Sequence, residues 1–218
     1  MKLHWSPRSP FVRKVMIVLH ETDQVADVDC MRNVVAVSLP PNAAVMADNP
    51  LNKIPTLITD EGQTLFDSRV ICEYLDTRAG TGLIPAELDA RFWHLKVQAL
   101  ADGMMDNLLL WRTEMTRTSG PWEAITSGWQ IKARATLSLL EQEAEALANQ
   151  PFGMAQVTTI CLLGHLDFRW PDCGWRDQFP KLAKLDALWA QRPSVIAAPV
   201  PTDDDPKSNA VTKGQLRF

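Results

Sequence analysis

The chain has 218 residues, of which 46% are hydrophobic and 22% charged, and its formal net charge is -4. This balance is typical of a folded globular protein and excludes an intrinsically disordered one. The longest apolar runs fall far short of the ~18 residues of a transmembrane helix, and a pI near 5.6 without a basic stripe predicts no nucleic-acid partner. The aromatic residues are uneven, with 8 Trp and 7 Phe but a single Tyr, Tyr74.

The start of the chain and its cysteines predict the compartment. No long apolar segment follows Met1, so we expect no signal peptide. The four cysteines are far apart in the sequence, which is a poor disulfide framework and fits a reducing environment. We therefore predict a cytoplasmic protein without a membrane partner.

The first 80 residues predict short strands alternating with helices. The strands are predicted at residues 2–5, 25–30, 56–58 and 64–66. The helices are predicted at residues 10–20 and 43–47 and from Asp67 onward. Ser9 followed by Pro10 is a favourable start for the first helix, because Ser caps a helix and Pro fits its first turn. The order of these elements is βαβ followed by ββα.

From Pro85 onward, apolar residues recur three or four positions apart, which is typical of helices. Two such series are Leu100, Met104, Leu108, Trp111 and Met115, and Leu137, Leu140, Ala144 and Leu147. Residues 157–166 are nearly all apolar, which predicts a buried helix, and a last helix is predicted at 180–190. We therefore predict an α/β domain at 1–80, an all-α domain at 86–198, and an irregular, solvated tail at 199–218 with Asp203, Asp204 and Asp205.

Five short segments carry a family resemblance. They are SPFVRK at 9–14, NPLNKIP at 49–55, FDSRVICEYL at 66–75, ALADGMMD at 99–106 and LDFR at 166–169. Together they resemble the cytosolic glutathione transferase superfamily, with the character of a bacterial serine-type member. The resemblance covers residues 1–198. It implies a thioredoxin-like N-terminal domain, a helical-bundle C-terminal domain, a homodimer, and glutathione as co-substrate with no metal.

The resemblance implies that the backbone of Ile54 binds the cysteinyl part of glutathione. In this family the bond equivalent to Ile54–Pro55 is cis, and the peptide is then held like an added strand. From the sequence alone, a trans loop proline is the commoner interpretation. Lys53 would meet the glycyl carboxylate, and a solvated loop lysine is the alternative.

Asp67 and Ser68 begin a helix, and either residue would serve as its cap. The free N–H groups and the positive dipole end of a helix start also bind a carboxylate. The resemblance implies that Ser68 binds the carboxylate of the γ-glutamyl group with its hydroxyl and N–H, while Asp67 binds the ammonium.

Catalysis in this family lowers the pKa of the glutathione thiol. A hydroxyl donor at a helix N-terminus stabilises a thiolate. Ser9 combines a hydroxyl group with a helix start, so it is the first candidate for this donor. The alternative is that Ser9 only caps the helix. Ser6 matches the active serine of some serine-type classes, and a plain loop serine is the alternative. Tyr74 lies far along the chain, which excludes the tyrosine-type mechanism. No cysteine lies near Ser9, which disfavours the cysteine type.

The electrophile is expected between the domains. The candidate residues for the walls of its pocket are Trp5, Pro7, Arg8, Met105, Leu109 and Arg112. For each of them the alternative is an ordinary position in the core. Asp102 and Asp106 are interpreted as surface acids, although in relatives an acid on this helix reaches glutathione across the dimer. Cys161 and His165 have the spacing of a metal pair, but the missing fourth ligand predicts no metal. His4 is interpreted as structural.

One position departs from the family pattern. The buried helix usually begins with Ser or Thr and has Asp three residues later, whereas this chain has Gly153 and Gln156. Gly is a weaker cap, but Gln can still return a hydrogen bond to the cap residue.

The predicted function is a glutathione transferase that stabilises the glutathione thiolate for attack on a small apolar electrophile, as in detoxification. The alternative is a non-catalytic binding or regulatory protein of the same fold. Pro55, Ser68 and Ser9 favour the enzyme, because non-catalytic relatives often lose the residues of the glutathione site.

Overall fold

The computed structural model describes residues 1–37, 39–201 and 216–218. Its N-terminal part contains a four-stranded mixed sheet with the order β2-β1-β3-β4. The strands are β1 (Lys2–Trp5), β2 (Asp29–Arg32), β3 (Thr56–Ile58) and β4 (Thr64–Leu65). β1 pairs in parallel with β2 and antiparallel with β3, which pairs antiparallel with β4. This sheet confirms the predicted thioredoxin-like domain.

Three helices belong to the sheet region, and the region after it is mostly helical. The first three are α1 (Pro10–Glu21), α2 (Ala43–Asp48) and α3 (Ser68–Ala79). The later ones are α4 (Leu88–Glu114), α5 (Glu123–Gln142), α6 (Ala144–Asn149), α7 (Met154–Arg169), α8 (Trp175–Gln178), α9 (Pro180–Trp189) and α10 (Pro193–Ala197). The fold class predicted from the sequence is confirmed. Within the described residues, no helix has the length and apolarity needed to cross a bilayer.

Two predicted elements differ from the structure. The strand predicted at 25–30 begins only at Asp29, because residues 25–27 form a short 3-10 turn. The side chain of Gln24 anchors this turn by donating from Nε2 to the carbonyl oxygen of Leu75 in α3, at 2.8 Å. The apolar series from Leu137 to Leu147 is divided between α5 and α6, with Glu143 between them.

Helix α1 is the element that joins the sheet to the helical region. It packs against α3 on one side and against α7 and α10 on the other. At its C-terminal end, Glu21 accepts hydrogen bonds from Nε and NH2 of Arg192, at 2.6 and 2.8 Å. Ser194 in α10 also donates to Glu21. One amphipathic helix therefore packs against both the sheet region and the helical region.

Helix α7 lies at the centre of the helical region, and nearly all of its residues are buried. Its first turn explains the departure from the family pattern. The N–H of Ala155 donates to Nδ1 of His94 at 3.1 Å, so an imidazole from α4 supplies the acceptor that a capping hydroxyl would provide. A Cβ on Gly153 would lie 2.4 Å from the carbonyl oxygen of Leu83 and 2.7 Å from Cε1 of His94. Glycine is therefore the residue that leaves room for His94.

The predicted return bond at this cap is confirmed. Oε1 of Gln156 accepts from the N–H of Gly153 at 3.0 Å, and Nε2 of Gln156 donates to the carbonyl oxygen of Leu147 at 3.1 Å. The start of α7 is thus satisfied by one side chain of its own and one from α4.

The described end of the chain is packed, so the prediction of a solvated tail is wrong there. Leu216 is 1% exposed. The ring of Phe218 meets that of Phe179 edge-on, with centroids 5.5 Å apart, and its N–H donates to the carbonyl oxygen of Cys173 at 2.9 Å. The three aspartates at 203–205 lie outside the described residues.

Candidate functional site

The N-terminus of α1 holds Ser9 as its cap. The Ser9 hydroxyl oxygen accepts from the N–H of Val12 at 3.2 Å, and the Ser9 N–H donates to the carbonyl oxygen of Ser6 at 3.2 Å. A hydroxyl can accept and donate together, and no described residue accepts the Ser9 proton. Ser9 therefore caps the helix and still has one proton to donate. Ser6 contributes its carbonyl oxygen to the shape of the loop.

The loop before β3 presents the backbone of Ile54. The Ile54–Pro55 peptide bond is cis, and the Ile54 side chain is packed in a small cluster with Val12 and Val45. Neither the N–H nor the C=O of Ile54 forms a hydrogen bond with the described residues. Because Val12 belongs to α1, the backbone of Ile54 lies close to the helix that Ser9 caps.

Asn49 fixes this loop, and sequence reasoning did not identify it. Its side-chain nitrogen donates to the carbonyl oxygen of Lys53 at 3.1 Å and to Oγ1 of Thr56 at 2.9 Å. Asn49 is 1% exposed, so these bonds form away from water. The Asn-Pro dipeptide at 49–50 was the available signal, because it marks an ordered turn.

The N-terminus of α3 carries two polar residues, Ser68 and Asp67, which differ in their hydrogen bonds. Ser68 is buried and its hydroxyl forms no hydrogen bond with the described residues. Asp67 caps the helix by accepting from the N–H of Arg69 at 2.9 Å, and it also accepts from NH2 of Arg69 at 2.8 Å. Burial acts to raise the pKa of Asp67, but the hydrogen bonds and charge of Arg69 outweigh it and hold this pKa below its usual value. Asp67 is therefore an ionised carboxylate that an adjacent guanidinium already contacts.

Helix α4 brings a second carboxylate toward this region. Asp106 is exposed, in keeping with its interpretation as a surface acid. Burial raises its pKa, Lys53 lowers it, and Asp67 raises it further. The charges of Lys53 and Asp67 therefore both act on this carboxyl group of α4.

Asp102 is not a surface acid, so that prediction is wrong. It is 6% exposed, and its Oδ1 and Oδ2 accept from Nζ of Lys14 at 2.8 and 2.7 Å. Lys14 itself is fully buried in α1. Burial raises the pKa of Asp102, and the charge of Lys14 opposes that shift. The pair is an electrostatic link between α1 and α4.

A small cleft with about 220 Å³ of empty space separates the loop before α1 from α7. Its lining residues are Pro7, Arg8, Ser9, Pro10, Arg13, Cys161, Gly164, His165, Phe168, Val200 and Pro201. Two of the predicted wall residues, Pro7 and Arg8, lie here beside Ser9. Cys161 and His165 are also present, but no group of three candidate metal ligands occurs in the described part of the chain.

The other predicted wall residues lie elsewhere. Met105 is 0% exposed and packs in the main core, so its assignment to an open wall is wrong. Trp5 is half-buried against the cluster that contains Ile54, and Leu109 and Arg112 are half-buried on α4. His4, interpreted as structural, contacts Asp48 through Nε2 at 2.7 Å.

Comparison with known proteins places the chain in a family. The model of the glutathione S-transferase N-terminal domain matches residues 3–82. An Escherichia coli K12 protein described as the uncharacterized GST-like protein YibF is 33% identical over 191 residues, covering 85% of this chain and 91% of the relative.

Two crystal structures of a glutathione transferase family member from Pseudomonas fluorescens Pf-5 are also similar. The one with bound glutathione is 43% identical, covers 92% of this chain and 99% of the other, and has a TM-score of 0.88. The one with bound S-(propanoic acid)-glutathione is 40% identical, covers 93% and 100%, and has a TM-score of 0.83. The chain belongs to the glutathione S-transferase superfamily.

Proposed function

We propose that this protein is a glutathione transferase that activates the thiol of bound glutathione at Ser9. The observation that carries the proposal is a set of polar groups at the ends of neighbouring elements that form no hydrogen bond with the described residues. These are the backbone of Ile54, the hydroxyl of Ser68 and the hydroxyl proton of Ser9. Similar structures with bound glutathione support it.

The γ-glutamyl end of glutathione has a complementary site at the start of α3. Its carboxylate would meet the hydroxyl and N–H of Ser68, where the helix dipole favours negative charge. Its ammonium would meet Asp67, which remains ionised because Arg69 lowers its pKa. The cysteinyl part would pair with the backbone of Ile54, and Lys53 would meet the glycyl carboxylate.

Ser9 supplies the catalytic donor in this proposal. A thiol titrates near ~8.5, and each unit by which its pKa is lowered requires ~1.36 kcal/mol of preferential binding to the thiolate. One hydrogen bond from the Ser9 hydroxyl together with the dipole of α1 supplies a shift of roughly one to two units. The donor is a neutral hydroxyl, so the thiolate remains reactive toward an electrophilic carbon.

The reaction is a nucleophilic substitution or addition in which the sulfur acquires a carbon substituent. S-(propanoic acid)-glutathione, bound in a Pseudomonas relative, is a compound of this kind. We propose a cytoplasmic homodimer as the working form. The exposed side chains of Val70 in α3 and of Leu88 and Phe92 in α4 support an interface, and sedimentation of the pure protein tests it.

Glutathione titration of the purified protein tests the function. We expect heat of binding in calorimetry and ultraviolet absorbance of the bound thiolate near neutral pH. If glutathione does not bind, the proposal fails. If it binds without forming thiolate at neutral pH, the non-catalytic alternative is correct.

Matched variants test the assignment of the donor. Ser9→Gly removes the hydroxyl but costs the helix cap only a few tenths of a kcal/mol, whereas Ser9→Ala costs the cap ~1 kcal/mol. Both variants should raise the pKa of the bound thiol by about one unit, while Ser6→Ala should leave it unchanged. A larger shift in Ser6→Ala than in Ser9→Gly would contradict the role of Ser9.

A further inference from the structure

His4 is a buried polar residue in the middle of the sheet. Side chains alternate along β1, so Leu3 belongs to the main core while His4 points to the opposite face. His4 is only 2% exposed. Its register partner in β3 is Thr56, which is also buried, so the two polar side chains lie side by side on this face. A buried imidazole destabilises the fold unless its nitrogens have partners.

Both ring nitrogens of His4 are paired, and the pairs fix its tautomer. Nδ2 of Asn33 lies 2.8 Å from Nδ1 of His4, and the same Nδ2 donates to the carbonyl oxygen of Met31 at 3.2 Å. An atom that donates to a carbonyl is the amide nitrogen, so Nδ1 of His4 accepts and the ring proton is on Nε2. Nε2 therefore donates to Oδ2 of Asp48 at 2.7 Å. The ring thus connects the residue after β2 with the last residue of α2.

Two adjacent residues of the sheet hold two consecutive residues at the end of α2. Asp48 accepts from His4 of β1, and Asn49 donates from Nδ2 to Oγ1 of Thr56 in β3 at 2.9 Å. The same Nδ2 donates to the carbonyl oxygen of Lys53 at 3.1 Å. His4 and Thr56 therefore fix both where α2 ends and where the following loop begins.

The start of α2 is bound to the same loop. Oδ1 of Asn42 caps the helix by accepting from the N–H of Val45 at 3.2 Å, and the N–H of Asn42 donates to Oδ1 of Asn52 at 3.0 Å. Asn52 has a φ of 50°, a conformation that Asn adopts more readily than most residues. Between these two ends of α2, the buried side chain of Val45 packs in the small cluster that contains Ile54. The placement of α2 therefore sets the placement of Ile54.

We propose that His4 is a positioning residue for glutathione binding. Its bond to Asp48 holds α2 where Val45 supports Ile54, whose backbone would pair with the cysteinyl part of glutathione. This inference rests on the proposed function, because it requires that Ile54 binds glutathione. His4 does not touch glutathione in this proposal, since it is buried and both of its ring nitrogens are occupied. It acts through α2.

The effect of such a residue is confined to the affinity for glutathione. A ligand binds more weakly in proportion to the fraction of molecules that hold the competent conformation. Without the bond between His4 and Asp48, we expect the dissociation constant and the KM for glutathione to rise about threefold or more, as when about one third of the molecules keep α2 in place. The kcat at saturating glutathione and the pKa of the bound thiol should not change, because Ser9 on α1 supplies the thiolate donor.

Asp48→Ala is the first test, because the Asp48 side chain is 36% exposed and its removal leaves the sheet intact. Calorimetry should show glutathione binding at least about threefold weaker than in the native protein. Asp48→Asn keeps an oxygen that accepts from Nε2 of His4 and should bind as the native protein does. Native affinity in Asp48→Ala would overturn this inference and leave the proposed function standing. Absence of glutathione binding in the native protein would overturn both.

Two buried histidines provide matched variants. His4→Gln keeps a donor near the position of Nε2 and should retain most of the affinity, whereas His4→Leu should lose it. The control is His94→Leu, which removes the histidine that accepts from the N–H of Ala155 at 3.1 Å in the helical region. This control should lower the free energy of unfolding in urea without changing the affinity for glutathione.

Two outcomes would contradict the assignment of His4. If His4→Leu and His94→Leu weaken glutathione binding equally, His4 acts only through the stability of the whole fold. If His4→Leu lowers kcat while the KM for glutathione stays unchanged, His4 does not position the glutathione loop. Asp48→Ala decides the matter if His4→Leu does not fold.

Discussion

Replacing Asp102 by asparagine removes one half of the buried ion pair with Lys14. Lys14 is 0% exposed and Asp102 is 6% exposed, and two bonds of 2.7 to 2.8 Å join them. The variant leaves the ammonium of Lys14 buried without its counter-charge. Breaking a pair of this kind costs about 3–5 kcal/mol, which is a large part of the ~5–15 kcal/mol by which a domain is typically stable.

Urea unfolding at pH 7 with linear extrapolation measures the effect. The matched control is Glu73→Gln, which breaks the exposed pair of Glu73 Oε1 with NH2 of Arg91 at 2.6 Å, where the side chains are 49% and 33% exposed. An exposed pair contributes less than ~1 kcal/mol. The double variant Lys14→Met with Asp102→Leu should recover most of the loss, because no buried charge remains. If Asp102→Asn costs no more than the control, the pair is not electrostatically isolated from water and the reasoning is refuted.

Three further predictions concern the site and α7. Asp67→Asn should weaken glutathione binding about tenfold in calorimetry, because the ammonium loses a charged acceptor while Asn still caps α3; unchanged affinity would exclude Asp67 from the site. The lowered pKa of His165 means that the unfolded chain binds the proton first, so stability is full above pH 6.5 and falls as the pH drops toward 3. We expect this residue to cost about 2 kcal/mol between pH 8 and pH 5, and His165→Gln should flatten that part of the urea-measured profile. Gly153→Ser should lower the melting temperature although Ser is the better cap, because its Cβ meets Leu83 and His94; a higher melting temperature would contradict the close fit.

The fold was predictable because its signals are local. Ser9 before Pro10 and Asp67 before Ser68 mark helix starts through capping chemistry that acts within three residues, and both capping bonds form in the structure. The cis bond before Pro55 was predicted from the resemblance and not from the chain, because most X–Pro bonds are trans.

The predictions that the structure contradicts concern residues that are in contact in the fold but far apart in the sequence. Asp102 was interpreted as a surface acid because Lys14 lies 88 residues away, and nothing in the helical pattern of α4 reveals that partner. The cap of α7 depends in the same way on His94, which lies 61 residues before Ala155.

The contacts of α1 have a consequence for how this protein unfolds. Its second turn carries Lys14 to α4, and its last turn carries Glu21 to Arg192 beyond α9. Neither half of the chain can lose its structure without exposing a charged or apolar face that α1 had covered. The sheet and the helical bundle should therefore melt as one cooperative unit, with calorimetric and van't Hoff enthalpies that agree. A fragment ending at residue 80 would expose to water the apolar surface of α1 that α7 and α10 cover, and should not hold its fold.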